Sequence, residues 1–188
     1  MNQRSDALVT ASEIISFVHK LALKLSEKSN QHFVATIGKL NVYPNSAAII
    51  PGLVEMTLDL RATSQIAREE FLNILEKEIL LLNKKSSCKT DIKNIAFAPF
   101  VEMDKSLIYL FKNTADSLGL SNNIMESGAG HDTAQLSRVA PAGMIFIPCR
   151  DGFSHCPEEY ADASDISKGT AVLYKMVTNL ADQSSNKT

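Results

Sequence analysis

Two histidine-containing motifs lie on either side of one apolar run in the last third of the chain. The first is Ser127-Gly-Ala-Gly-His131-Asp132, and the second is Asp151-Gly-Phe-Ser-His155-Cys-Pro-Glu-Glu159. A neutral imidazole is the commonest protein ligand of metal ions, and a nearby carboxylate can orient it. Glycines let the backbone approach a ligand closely. The pattern indicates a metal-binding or acid–base site. The alternative is that each histidine is an ordinary surface or hydrogen-bonding residue.

The apolar run between the two motifs predicts a buried strand over Met144 to Ile147. His155 would then lie in the loop after that strand, at the sheet edge where α/β proteins place their sites. Neighbouring patterns predict a short strand near Ile124 and a helix that begins at His131 and runs to about Val139. Helices are also expected over 105–118 and 165–180. This alternation is typical of part of an α/β sheet, with too few strands to close a doubly covered sheet alone.

The first hundred residues predict a different layer. A helix over 5–27 precedes strands at 33–43 and 54–61, a helix begins after Ser64 and runs to about 83, and a further strand is expected over 88–101. The second strand alternates apolar and polar side chains, which indicates an antiparallel sheet covered on one face. The expected fold is therefore an α+β unit at 1–102, followed by part of an α/β domain at 103–188.

Three finer expectations concern single residues. Gly38 is expected to form a β-bulge in the first strand. Gly119 is expected to end the helix over 105–118. The final helix is expected to turn one apolar stripe inward, and that stripe consists of Ile166, Leu173, Val177 and Leu180.

Composition limits the classes of partner and compartment. The net charge of −2 and the absence of any basic run longer than Lys84-Lys85 argue against a nucleic acid or membrane bound by bulk electrostatics. The three cysteines show no CxxC spacing, so neither a zinc knuckle nor a disulfide framework is indicated. A reducing compartment, the cytoplasm, is expected.

The motifs resemble those of a known family. The segments 127–132, 143–148 and 151–159 resemble the C-terminal motifs of N-carbamoyl-L-amino-acid hydrolases and allantoate amidohydrolases, a branch of the dinuclear-metal aminoacylase and carboxypeptidase superfamily. Thr36-Ile-Gly-Lys-Leu40 and Leu58-Asp-Leu-Arg61 resemble that family's lid domain. The resemblance covers nearly the whole chain, in the right order.

The resemblance implies a catalytic α/β domain with an inserted lid used for dimerisation. It also implies two divalent ions, zinc, manganese or cobalt, and attack by a metal-bridged water on a carbamoyl or ureido carbon. His155 matches the family's last metal ligand. Arg61 matches the lid arginine that holds the substrate carboxylate, a role that suits the donor fork of a guanidinium. His131, with Asp132, would shape the metal or substrate pocket. No residue of this chain matches the catalytic base.

Two departures qualify the resemblance. Ala48 stands where the family carries an asparagine that helps to hold the substrate. The family's other metal ligands and its catalytic glutamate have no counterpart in this sequence, so we expect an incomplete site, a lid without its first strand, and no catalysis or tight metal binding by the isolated chain.

The sequence leaves two functions open. In the first, the chain is one half of an amidohydrolase for a small carbamoyl or ureido acid, working as a homodimer through the lid or with a partner chain that carries the N-terminal half. The alternative is an inactive remnant that serves as a dimerisation or small-molecule binding module. A peptidase of the same superfamily ranks below both.

Overall fold

The computed structural model describes residues 4–28 and 32–185, with side chains described as far as Asp182. The elements in chain order are α1 (Ala7–Lys28), β1 (Phe33–Tyr43), β2 (Leu53–Ala62), α2 (Gln65–Lys85), α3 (Lys105–Ser117), α4 (Thr133–Leu136), a 3₁₀ turn (Arg150–Gly152) and α5 (Ala163–Ser185). Among the described residues, no helix is long and apolar enough to cross a bilayer.

The chain divides into two compact units. The first unit contains the residues up to Phe100 together with Glu126–Gly128. The second unit contains Val101–Met125 and the residues from Ala129 onward. The three residues Glu126–Gly128 therefore belong to the first unit, although their neighbours in the chain belong to the second.

A two-stranded antiparallel sheet organises the first unit. β1 pairs with β2 from Phe33↔Ala62 to Tyr43↔Leu53, and the register shifts at Gly38, between Ile37 and Lys39. The predicted bulge is thereby confirmed, since one extra residue on a strand is the definition of that feature. Directly opposite residues share a face, so the sheet has one apolar and one polar side.

Helices α1 and α2 pack on the apolar face of this sheet. Phe71 of α2 has no exposed surface, and its ring lies 5.6 Å from that of Phe33 at the start of β1. The rest of the buried core comes from both helices and consists of Ile14, Val18, Leu21, Leu25, Leu75, Ile79 and Leu82. The helical spacing of these residues places them on single stripes, which explains why both helices form against one sheet.

The ends of α2 follow from local chemistry. The Ser64 hydroxyl accepts a hydrogen bond from the Ala67 N–H at 3.2 Å, which satisfies one of the donors that a helix start leaves unpaired. Lys84 and Lys85 lie in the last turn, where the helix dipole favours cations. The sequence predicted the start of this helix after Ser64.

Helices α3 and α5 form the second unit together with extended segments. The Asp104 carboxylate caps α3 by accepting from the Leu107 N–H at 2.9 Å, and Gly119 ends it with a φ of +68°. Gly169 of α5 faces Ile147 so closely that a Cβ would lie 2.6 Å from the isoleucine side chain. A glycine is therefore required where α5 meets this segment.

Several predicted elements are wrong. No strand forms over 88–101, near Ile124 or over Met144 to Ile147, because the described residues contain only the β1–β2 ladder and offer these segments no partner strand. The 144–147 run is only partly buried, with Phe146 45% exposed. The helix at His131 is also shorter than predicted and contains only Thr133–Leu136.

The predicted inward stripe of α5 is wrong as well. Its members are all well exposed, whereas Val172 and Met176 are each only 6% exposed. The helix carries apolar residues on two sides, so periodicity alone did not identify the side that packs. The predicted stripe remains a surface feature, which consists of Ile166, Leu173, Val177 and Leu180.

Candidate functional site

The polar face of the sheet carries a charged pair next to the end of β2. Asp59 and Arg61 are two residues apart on one strand, so both side chains project from the same face. The Arg61 Nη2 donates to Asp59 Oδ2 at 2.7 Å, and its Nε lies 3.1 Å from both carboxylate oxygens. This bidentate contact fixes the plane of the guanidinium.

The pair changes the acidity of both groups. The hydrogen bond from Arg61 lowers the pKa of Asp59, burial of the carboxyl opposes that change, and the positive charge of Arg61 adds to the lowering. The same hydrogen bond raises the pKa of Arg61. The side chains of Arg61 and Asp59 are 51% and 53% exposed, so water screens their charges. The ion pair therefore contributes only about 0–1 kcal/mol to the free energy of folding.

A cavity of about 400 Å³ opens over this face of the first unit. It is lined by His32, Val34, Thr36, Gly38, Asp59, Arg61 and Gly128. A guanidinium has five N–H groups. Asp59 and the Gly128 carbonyl, which accepts from Nη1 at 3.0 Å, take three of them. The other two N–H groups make no hydrogen bond to the Asp59 carboxylate or the Gly128 carbonyl.

The segment Glu126–Gly128 is fastened to the sheet beside Arg61. Glu126 Oε2 accepts from the His32 N–H at 3.0 Å and from the Thr63 hydroxyl at 2.8 Å. Gly128 lies against the His32 ring, where a Cβ would be 2.4 Å from Nε2. That Nε2 is buried with no hydrogen-bond partner in the described part of the chain. The segment is thus held by two carboxylate contacts and by a close approach that only glycine permits.

His131 lies in the second unit, two residues before α4. Its ring meets that of Phe146 edge-on, with centroids 5.6 Å apart and planes inclined at 62°. Such an arrangement is a favourable aromatic contact. Asp132 precedes α4 without a side-chain cap bond.

His155 lies on an exposed loop of the second unit. Its φ of +59° is uncommon for a residue with a side chain. Its N–H donates to Glu159 Oε2 at 2.8 Å, so this carboxylate holds the backbone of His155 rather than its ring. The loop is closed at its base, where the Arg150 N–H donates to the Tyr160 carbonyl at 2.8 Å and the Arg150 guanidinium stacks 4.1 Å from the ring of Tyr160.

Sequence reasoning singled out Arg61, His131 and His155 but missed their supports. The signal for Asp59 was present in the sequence as an acidic residue two positions before an arginine on one strand. Glu126 gave no signal, because its contact to His32 joins residues 94 positions apart. Arg61 lies in the first unit, while His131 and His155 lie in the second.

Comparison with known proteins decides the family. Residues 9–179 match the model of Peptidase family M20/M25/M40. The chain belongs to this family.

Relatives within family M20 have hydrolase names. The chain is 36% identical over 178 residues to an N-carbamoyl-L-amino-acid amidohydrolase of Pseudomonas sp. (strain NS671), which covers 94% of this chain and 42% of the relative. It is 34% identical over 181 residues to the allantoate amidohydrolase of Bacillus subtilis (strain 168), which covers 96% of this chain and 43% of that protein. The chain therefore spans about two fifths of the length of these relatives.

Solved structures of other proteins agree with the fold. The crystal structure of AtUAH in complex with glyoxylate matches with a TM-score of 0.84 at 31% identity, over 96% of this chain and 42% of that chain. An amidase of the hydantoinase/carbamoylase family from Burkholderia vietnamiensis matches with a TM-score of 0.81 at 32% identity, over 92% of this chain and 41% of that one. The predicted fold class, an antiparallel-sheet unit with two helices followed by part of an α/β domain, is confirmed.

Family M20 enzymes generally depend on a dinuclear metal centre. Among the described residues, no group of three or more His, Cys, Asp or Glu side chains is arranged to hold a metal ion. The nearest carboxylate contact of His155 is to its backbone. A pair of metal ions needs several converging ligands. The described donors therefore do not fit a dinuclear centre by themselves.

Proposed function

We propose that this chain is the carboxylate-binding part of a metal-dependent amidohydrolase. The reaction is hydrolysis of the C–N bond of N-carbamoyl-L-amino acids or of related ureido acids such as allantoate. The observation that carries the proposal is the position of Arg61, fixed by Asp59 on the floor of a cavity of about 400 Å³. Names of M20 relatives supply the class of substrate.

The chemistry of the substrates fits this cavity. Each proposed substrate carries a carboxylate next to a neutral carbamoyl or ureido group. A guanidinium recognises a carboxylate through paired N–H donors, and its charge persists at any physiological pH. Because Asp59 neutralises part of that charge, the cavity favours ligands that form directed hydrogen bonds over ions attracted by charge alone.

The roles of the two histidines belong to the same proposal. His155 contributes one ligand to a centre of two zinc, manganese or cobalt ions, and His131 contributes to the substrate pocket. The remaining ligands and the catalytic base come from polypeptide outside the sequence described here, whether in a partner chain or in the same protein. Residues 1–102 act as a lid that forms a homodimer, and the three free cysteines support a cytoplasmic location.

A complementation assay tests this function. The chain is mixed with the N-terminal part of the Pseudomonas relative and with Mn²⁺, and ammonia release from N-carbamoyl-L-amino acids and allantoate is measured. We expect hydrolysis only from the mixture, its loss with His155→Ala and at least a tenfold rise in KM with Arg61→Lys. Arg138→Gln is the matched control, because Arg138 is an exposed arginine of the second unit. No activity from any mixture would refute the proposal.

A second candidate is a catalytically inactive module that binds small carboxylic acids or dimerises. The specific observation in its favour is that the fork of Arg61 is already engaged by Asp59, while Ala48, exposed in the turn between β1 and β2, carries no hydrogen-bonding side chain. Ligand binding without hydrolysis in the complementation mixture would favour this candidate.

A further inference from the structure

We infer that Glu126 is a positioning residue for Arg61. Its hydrogen bonds to His32 and Thr63 anchor the Glu126–Gly128 segment to the sheet. The Gly128 carbonyl and Asp59 then bind the guanidinium from two sides. This inference rests on the proposed carboxylate-binding role of Arg61. It adds a residue far along the chain that no local motif connects to that arginine.

A single carboxylate oxygen of Glu126 accepts two hydrogen bonds from the sheet ends. Glu126 Oε2 accepts both the His32 N–H at 3.0 Å and the Thr63 hydroxyl at 2.8 Å. The Thr63 N–H in turn donates to the His32 carbonyl at 3.1 Å. The carboxylate therefore joins the residue before β1 to the residue after β2. Hydrogen bonds to a charged acceptor are stronger than those between neutral groups.

The position of Gly128 depends on this carboxylate and on the His32 ring. With Glu126 fastened, Gly128 lies against the His32 ring at a distance that leaves no room for a Cβ. Its carbonyl then reaches Arg61 Nη1 at 3.0 Å. Since a displacement of about an ångström is enough to misalign a hydrogen bond, the carbonyl depends on both the carboxylate and the glycine.

The Arg61 guanidinium is held from two sides. Asp59 binds the edge made by Nε and Nη2, and Gly128 binds Nη1. An exposed arginine side chain otherwise samples many rotamers, and that freedom is lost when a ligand binds. Two fixed contacts on different nitrogens remove most of this freedom in advance, which is how pre-organisation raises affinity.

The test measures Arg61 directly. In ¹⁵N-labelled chain, the Nη1–H signal of Arg61, which belongs to the nitrogen bound by the Gly128 carbonyl, is assigned from its loss in Arg61→Lys, and its exchange with water is compared among variants. We expect slow exchange in the unchanged chain and in Glu55→Gln, a control for charge on the same strand and face. We expect exchange at least fivefold faster in Glu126→Ala and partial rescue in Glu126→Gln, whose amide oxygen can still accept.

A second readout keeps the inference separate from the proposed function. Binding of N-carbamoyl-glycine and of its carboxamide analogue is titrated against the same variants. We expect the carboxylate ligand to lose about tenfold in affinity in Glu126→Ala, with no change for the carboxamide. Thr63→Val, which removes one donor only, provides the same comparison if Glu126→Ala unfolds.

The outcomes separate cleanly. Faster exchange without any carboxylate binding by the unchanged chain would support the positioning role of Glu126 and refute the proposed function. An Nη1–H signal that exchanges equally slowly in Glu126→Ala, Thr63→Val and the unchanged chain would overturn the inference.

Discussion

At the scale of residues, glycine decides how closely two segments can approach. Gly128 and Gly130 belong to one sequence motif, yet only the first is crowded. A Cβ at 128 would lie 2.4 Å from His32 Nε2, whereas nothing lies within 4 Å of a Cβ at 130. The motif therefore contains one glycine required by packing and one that packing does not require.

This difference predicts the effects of two matched substitutions. Gly128→Ala should reduce the free energy of unfolding by about 1–3 kcal/mol, because the His32 ring has to move. Gly130→Ala should change it by less than about 0.5 kcal/mol. Urea unfolding followed by far-UV circular dichroism provides the measurement. Equal midpoints for the two variants would contradict the close approach of Gly128 to His32.

At the scale of elements, the core of the first unit depends on α2. Phe71 is wholly buried against Phe33, while Ile66, five residues earlier on the same helix, is 79% exposed. Their contrast shows that the apolar stripe, not the total apolar content, attaches the helix to the sheet.

Replacing Phe71 or Ile66 by alanine tests the difference between a buried and an exposed apolar residue of α2. Phe71→Ala should reduce the free energy of unfolding by about 3–5 kcal/mol, since it leaves a cavity in the core. Ile66→Ala should leave it within about 0.5 kcal/mol of the unchanged chain. The measurement is the urea midpoint with an unchanged m-value. A small effect of Phe71→Ala would mean that α2 is not attached to the sheet as described.

The cap of α3 predicts a dependence on pH. Hydrogen bonds from the Ser106 hydroxyl and the Leu107 N–H lower the pKa of Asp104, against a small opposing effect of burial. A lowered pKa means that the carboxylate stabilises the folded state above its usual pKa, about 3.9, and that this contribution is lost as the pH falls through the lowered value.

Removing the Asp104 carboxylate should therefore lower the free energy of unfolding more at neutral pH than in acid. Asp104→Ala should unfold at lower urea than the unchanged chain at pH 7, and the gap should narrow below about pH 3. Asp104→Asn is the control, because asparagine caps a helix without titrating in this range. A gap of constant size at both pH values would exclude a titrating cap.

The sequence predicted those elements whose signals are local. Strict alternation located β2, the hydroxyl of Ser64 located the start of α2, and Gly119 located the end of α3. Strands at 88–101 and 144–147 were wrong because a strand requires a partner, which a single segment does not specify. For the candidate site, Arg61 was proposed from its motif, whereas Glu126 was missed because its contact to His32 joins residues 94 positions apart.

At the scale of the whole molecule, much apolar surface faces solvent. Leu173 and Val177 on α5 are 48% and 53% exposed, and Ile95 is 81% exposed. The net charge of −2 provides little repulsion between copies. Leu173 and Val177 lie four positions apart on α5, and we expect such exposed apolar surface to favour association with another polypeptide or with a further copy.

Association should therefore depend on α5. We expect the mean mass from light scattering to rise with concentration, and to rise less in the double variant Leu173→Lys/Val177→Lys. Ser167→Lys adds a charge at an exposed polar position of the same helix and is the control. A constant monomer mass over the whole concentration range would contradict this expectation.

The bulge at Gly38 also bears on how β1 can change in length during evolution. Ile37 faces the helices opposite Leu58, and Leu40 faces the same side opposite Met56. The extra residue therefore shifts the alternation of side chains by one position along β1. Elsewhere in the strand, the insertion or deletion of one residue would turn every later side chain to the opposite face. At position 38 a single codon can be lost without inverting the strand, at the expense of one residue that lines the cavity over Arg61.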